Sequence, residues 1–463
     1  MVGRKAELAA LKRYYESGKA EFVALYGRRR VGKTYLINEF FHSRYAFYIT
    51  GVIDGDKSEQ MAAFTQGLRK IGYTGRLPKN WMDAFFELEN ILDEKMREGE
   101  RCVLFIDELP CFDTPKAGFV KALGHFWNSW AQSHKNVMLV VCGSAASWMV
   151  KNVIKNRGGL HNRLTGTIHL MPFSLGETNA YLQSRGVRWP AQTVAECYMV
   201  MGGIPYYLQQ IDGTMSLAQN VDRMFFKESA LLADEFDNLY SSLFTHSSDH
   251  VEIVKALAGK RQGLTRDDIV AATSLSDGGG LTRRLTELEQ CGFIRRYTMV
   301  NNARQLYQLT DFYTQFYFQF LAHENSYDDG VWLHLQGKPR HNNWLGLSFE
   351  RLCFAHLPQI RKALGIAGVA TRTFAYQVEG AQVDMVIERA DRTVCVCEMK
   401  WSALPYSISK VEDAKIRNRL VAIKEKYPRH ALLMVMITSA GLAKNGYALS
   451  DVQREVNIEE LFD

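Results

Sequence analysis

Near the start of the chain the run Gly27-Arg28-Arg29-Arg30-Val31-Gly32-Lys33-Thr34 carries the spacing GxxxxGK[ST] in full. Glycines in such a run let successive backbone N–H groups curl around an anion, and a helix opening at its end adds partial positive charge. The chemistry expected is binding of a nucleoside triphosphate. Gly27 and the backbone from Arg30, Val31 and Gly32 to Tyr35 would surround the phosphates. Lys33 would reach the β- and γ-phosphates, and Thr34 would place its hydroxyl on Mg²⁺.

A second group supplies acids. Val103-Leu104-Phe105-Ile106-Asp107-Glu108 is an apolar strand ending in two carboxylates. Asp107 is expected in the Mg²⁺ shell, and Glu108 is expected to orient and polarise the attacking water. A third apolar run, Val137 to Cys142, ends in Gly143-Ser144. The Ser144 hydroxyl either bonds the γ-phosphate or the water, or caps the helix that follows. Arg163, with Arg157 as its competitor, is a candidate for the cation that neutralises charge developing in phosphoryl transfer. A solvated surface position is the other reading of both.

The elements that must hold these residues alternate. Glu21 to Tyr26, Tyr45 to Thr50, Cys102 to Ile106 and Val137 to Cys142 read as strands, with amphipathic helices such as Trp81 to Met96 and Lys116 to Trp130 between them. Continuous apolar strands separated by helices predict a parallel sheet covered on both faces. After Pro172 the pattern turns helical, from Leu175 to Phe226, interrupted at Gly202-Gly203-Ile204-Pro205. From His250 to Leu309 three helices precede two strands, the plan of a winged helix-turn-helix. Arg283 and Arg284 would lie on its recognition helix and Arg295, Arg296 and Arg304 on its wing, either contacting DNA or serving a module that only packs between domains. The rest begins with an aromatic helix and ends in mixed α/β structure. The expected fold is therefore α/β, divided into a nucleotide-binding core (1–173), a helical lid (174–245), a winged helix (246–310) and a C-terminal α/β domain (311–463).

In that last domain, Gln382 to Glu388 and Thr393 to Trp401 read as a hairpin centred on Asp391, which sets Asp384 opposite Glu398. Lys400 is two residues from Glu398 and shares its face. Burying three such charges unpaired is costly. A second divalent metal between Asp384 and Glu398, with Lys400 beside it, would satisfy them, and such a metal could activate water against a phosphodiester. A salt-bridged structural hairpin is the alternative.

Composition limits the classes. The chain has 463 residues, 47% of them hydrophobic and 23% charged, which is ordinary for a soluble protein of several modules. No apolar run approaches the roughly 18 residues that span a bilayer, and the first residues lack the apolar core of a signal peptide. A cytoplasmic protein without a membrane partner is expected, its eight scattered cysteines free thiols. A formal charge of +6 permits nucleic-acid binding without demanding it.

With these motifs in place, the N-terminal part resembles the prokaryotic archaeal-type ATPases, a branch of the AAA+/STAND P-loop NTPases. Val2-Gly3-Arg4-Lys5-Ala6-Glu7-Leu8 is similar to that family's GRExEL box, with Lys5 in place of the usual Glu. The resemblance puts Val2, Gly3 and Arg4 near the adenine. It makes Gly203-Ile204-Pro205 the GxP element by which Pro205 and its lid helix touch the nucleotide, and it puts Ser144 at a sensor position. The Asp384, Glu398 and Lys400 pattern resembles the D…ExK motif of PD-(D/E)XK nucleases, in which Glu350 would be the preceding helical glutamate. The resemblance implies ATP and Mg²⁺ as cofactors, DNA as a partner and a nuclease-like effector. It leaves open a homo-oligomer, and a STAND-type signalling or assembly switch that cleaves no DNA.

Overall fold

A computed structural model describes residues 1–96, 100–227, 230–244, 246–298, 305–322, 330–378 and 381–462. The first sheet is built from β1 (Glu21–Tyr26), β2 (Phe47–Thr50), β3 (Cys102–Asp107), β4 (Val137–Gly143) and β5 (Gly166–His169), in the order β2-β3-β4-β1-β5. Every neighbouring pair is parallel. β3 and β4 are buried along their whole length, as strands covered on both faces must be. β5 is an edge strand that exposes alternate residues, so its sequence carries no continuous apolar run.

The strands are parallel, so their carboxyl ends meet at one edge of the sheet, where such folds bind ligands. Gly27 follows β1, Asp107 ends β3 and Ser144 follows β4. Helices Lys57–Lys70, Trp81–Lys95 and Phe119–Ser129 cover one face with Phe64, Trp81, Phe85, Leu88, Phe126 and Trp127. The opposite face joins a larger core that continues without a break into the later modules.

Residues 175–226 are helical, with the helix Pro205–Leu208 following the Gly202-Gly203 turn. Helices Ser247–Ala258, Arg266–Ala272 and Gly279–Gln290 precede the antiparallel hairpin of β6 (Ile294–Thr298) and β7 (Gln305–Leu309). Thr265 caps the second of these helices in a reciprocal capping box with Asp268. The polar tip expected at Asn301-Asn302, and Arg304 with it, lies outside the described residues.

A second five-stranded sheet is formed by β8 (Thr371–Val378), β9 (Ala381–Arg389), β10 (Thr393–Lys400), β11 (Ala431–Thr438) and β12 (Arg454–Asn457), in the order β12-β11-β10-β9-β8. β8, β9 and β10 are antiparallel, whereas β10, β11 and β12 are parallel. Helix Pro339–Ala355 packs on one face, and helix Lys410–Lys426 lies on the other over Val386, Val394 and Met434. None of the described helices is long and apolar enough to cross a membrane. All eight cysteines are free.

Candidate nucleotide site and the charged clusters around it

The loop after β1 has the backbone an anion cradle needs. Gly32 lies at φ 88 and Gly27 at φ 154, and a Cβ on Gly27 would meet the Leu170 carbonyl oxygen at 2.3 Å. Helix Lys33–Phe41 opens directly behind Gly32. Lys33 Nζ is buried and donates to the carbonyls of Gly27 at 3.0 Å and Arg28 at 2.9 Å. Thr34 Oγ1 donates to Asp107 Oδ2 at 2.7 Å, so the hydroxyl and the carboxylate expected around Mg²⁺ meet. The other Asp107 oxygen accepts from the Glu108 N–H at 2.9 Å. Burial pushes the Asp107 carboxyl above its ordinary range, a cost that a hard cation would offset. A hydroxyl and an anionic oxygen side by side are a fitting pair of donors for Mg²⁺.

Glu108 adopts a left-handed backbone, φ 46, which turns its side chain towards β4. There Ser144 Oγ donates to its Oε1 at 2.6 Å and the Ser144 N–H to its Oε2 at 3.2 Å. The Ser144 hydroxyl is thus bonded to Glu108 and caps no helix. Arg163, in contrast, stands beyond the opposite end of the sheet. Thr165 pairs with Phe22 at the start of β1, and Arg163 is exposed with a weak 3.5 Å contact to Gln132. The parallel register therefore keeps it out of this chain's own phosphate site, and the expectation of a finger there is corrected. Arg157, also exposed, lines a groove described below.

The first residues brace the loop. Arg4 Nη2 donates to the Val31 carbonyl at 3.0 Å and Nη1 to that of Met171 at 2.7 Å, while the Arg4 N–H donates to Glu177 Oε1 at 2.7 Å. Gly3, at φ 70, lies against Glu177, where a side chain would clash. Val2 is half-buried and Tyr35 is 59% exposed. Pro205 begins its short helix, and the turn before it is pinned where the Phe173 N–H donates to the Gly203 carbonyl at 2.8 Å.

Two loop arginines reach other modules, and the motif alone gave no sign of their partners. Arg28 pairs with Asp311, both side chains 4% exposed. Burial works against the Arg28 charge, and Asp311 outweighs it to hold the guanidinium above its ordinary pKa. The Arg30 side chain pairs with Glu235 and stacks over Tyr206 at 4.3 Å, leaving only its backbone for phosphate.

In the second sheet the ladder runs from Val394 opposite Glu388 to Cys397 opposite Met385, and its continuation sets Glu398 opposite Asp384. The acids are not left for a metal. Arg261, from the segment after helix Ser247–Ala258, donates to Glu350 at 2.6 and 2.8 Å and to Asp384 at 2.7 Å. Glu398 is held by Lys400 at 2.8 Å and by Arg419 at 3.0 Å. Among the described residues no group of three or more His, Cys, Asp or Glu is placed to hold a metal ion. The expected metal at Glu350, Asp384 and Glu398 is therefore corrected: guanidinium and ammonium groups from three segments, those of Arg261, Lys400 and Arg419, supply the compensating charge. Burial, then the neighbouring Asp384, pushes Glu350 up to about 7.

The arginines expected on a winged helix are also largely engaged. Arg284 pairs with Asp249, Arg296 with Glu289 at 3.6 Å, and Arg295 turns inward over Phe354 at 4.4 Å. Only Arg283 remains exposed without an ion pair among the described residues. It faces a groove of about 870 Å³ between helix Gly279–Gln290 and the segment after β4, shared with Lys151, Lys155 and Arg157 and bordered by Pro110 and Ala145.

A parallel sheet with a glycine loop at β1 and acids at β3 defines a nucleotide-binding α/β protein. Residues 1–211 match the family described as an ATPase domain predominantly from Archaea, a match that supports ATP binding by this part of the chain. An uncharacterized protein of Methanocaldococcus jannaschii is 24% identical over 446 residues, 95% of this chain and 96% of that one. An uncharacterized ATP-binding protein of the same organism is 51% identical over 43 residues, 9% of this chain and 73% of its own length. Among solved structures, a Walker-type ATPase of Pyrococcus abyssi is 18% identical with a TM-score of 0.47, covering 69% of this chain and 96% of that one.

Proposed function

We propose that the protein hydrolyses Mg·ATP and couples that reaction to DNA held in the groove beside the winged helix. In this reading Gly27, Gly32 and the backbone from Arg30 to Tyr35 bind the phosphates, and Lys33 meets their charge. Thr34 and Asp107 would hold Mg²⁺, which polarises the phosphates when bound. Glu108 orients the attacking water once its bond to Ser144 is exchanged for one to that water.

The observation that carries the DNA part is the groove itself. Four exposed cations, Lys151, Lys155, Arg157 and Arg283, line it without ion pairs among the described residues. Its border residues Pro110 and Ala145 follow closely on Glu108 and Ser144, so a polyanion there would press on the segments that hold the hydrolytic pair. DNA cleavage is not part of the reading, because cations of the chain itself occupy the acid cluster. The test is an ATPase assay with and without DNA across salt, on the parent and on Lys155→Ala/Arg283→Ala. The parent should bind DNA with a steep salt dependence and change its turnover, and the variant should lose both. No DNA binding by the parent at low salt refutes the reading.

A nucleotide-controlled switch is the second reading, favoured by the ion pairs from Arg28 and Arg30 to Asp311 and Glu235. They tie the phosphate loop to two later modules. A change in assembly mass between ATP and ADP, without any response to DNA, would select it.

A further inference from the structure

The accounting that removes the metal leaves a surplus of the opposite sign. Around Glu350 and Asp384 stand three guanidinium groups, Arg261, Arg295 and Arg351, and Arg261 takes both carboxylates. The Arg351 side chain makes no hydrogen bond or ion pair among the described residues, although Glu350 adjoins it in sequence. The Arg295 side chain has one hydrogen bond, from Nε to Gln308 Oε1 at 2.8 Å, and no carboxylate partner among the described residues. Both are half-buried. Burial pulls the Arg295 guanidinium below its ordinary pKa and Arg351 down to about 10; Glu350 opposes the fall at Arg351, while Arg295 and Arg261 add repulsion. Two half-buried like charges, neither in a direct ion pair among the described residues, are expensive unless an anion joins them.

There is room for one. Arg295, Gln308, Arg351 and Phe354 form the shared wall between the space over Asp384 and a cavity of about 490 Å³ where the modules meet. The acids that line this cavity are already engaged: Asp311 with Arg28, Glu7 with Arg4, and Glu177 with the N–H groups of Arg4 and Ser174. Of the residues Gly27 to Thr34, only Arg28 reaches it, so it is separate from the phosphate cradle.

We infer that Arg295 and Arg351 form an anion site, at the junction of the winged helix and the C-terminal domain, that takes a phosphate group. Guanidinium forks match phosphate oxygens in pairs, and the half-buried position makes each such bond strong. The phosphate belongs either to a small phosphorylated ligand or to a nucleic-acid backbone.

The test uses the full chain with Lys33→Ala, which removes the lysine from the other phosphate site, titrated with inorganic pyrophosphate by calorimetry. One site should be seen. Adding Arg351→Gln or, separately, Arg295→Gln should weaken it at least about tenfold, the loss of a charge-assisted hydrogen bond. The two variants guard against misfolding in either one, with circular dichroism as the check. Absence of pyrophosphate binding in the Lys33→Ala chain overturns the proposal, as does unchanged binding in both folded arginine variants. A single-stranded oligonucleotide that displaces the pyrophosphate, and loses affinity in the same variants, identifies the backbone as the source. Pyrophosphate binding that the oligonucleotide does not displace assigns the site to a small ligand.

Discussion

Asp311→Asn tests whether the phosphate loop is held by a residue far along the chain. Arg28 and Asp311 are each 4% exposed, so water does not screen them. Asp311 also caps helix Phe312–Phe316, accepting from Thr314 N at 2.9 Å and Thr314 Oγ1 at 2.7 Å. Asparagine is nearly as good a cap as aspartate, so the substitution removes the charge and spares most of the roughly 1 kcal/mol that a cap provides. What remains is a buried guanidinium without a carboxylate, and breaking such a pair costs about 3–5 kcal/mol. The double variant Arg28→Met/Asp311→Asn removes the stranded charge as well. It should recover to within about 2 kcal/mol of the parent, because apolar replacements for a buried pair are tolerated. Urea unfolding followed by tryptophan fluorescence gives all three values. A loss below about 1 kcal/mol in Asp311→Asn, or a double variant no more stable than Asp311→Asn, refutes the reasoning.

Lys33→Ala should lose most affinity for Mg·ATP in calorimetry, since it removes the buried ammonium at the head of helix Lys33–Phe41; parent-like affinity would mean the phosphates bind elsewhere. Glu108→Gln should retain ATP and turn it over about 10²-fold more slowly or worse, read in a steady-state assay, and unchanged turnover would give the water to another group. Glu350 is expected to make the fold less stable as pH rises. Its folded pKa of about 7 exceeds the ordinary value of 4.5, so between these the folded chain keeps a proton the unfolded chain has lost. Unfolding midpoints at pH 5 and pH 8 should differ by less in Glu350→Gln than in the parent, and equal slopes would exclude Glu350 as the cause.

What could be read in the sequence was local. A phosphate loop and an acidic strand end are contiguous, so Gly27 to Thr34 and Asp107-Glu108 stood out by spacing. A tight hairpin fixes its own register, so Glu398 could be set opposite Asp384 by counting from Asp391. The partners were not legible. Arg261, Arg419 and Asp311 come from distant segments, and nothing in their own neighbourhoods marks them as counter-ions. The metal was expected at the acids because a charge was visible and its neutraliser was not. β5 escaped for a different reason: an edge strand with Thr167 and His169 outward has no apolar run. The direction in which Arg30 and Arg284 point follows from packing between modules, on which their helical or loop context is silent.

The Arg28–Asp311 pair also bears on the order in which the molecule can be assembled. Its members are 283 positions apart. At about 5–20 residues per second of synthesis, the loop exists for roughly 15–60 s before its partner has been made. During that interval Arg28 must stay in water, because burying it alone would cost what the pair later repays. The phosphate loop is thus completed as a late docking event, after the helices and hairpin of residues 246–310 have emerged. A chain halted before residue 311 should present that loop to proteases, and one extended past the aromatic helix should not.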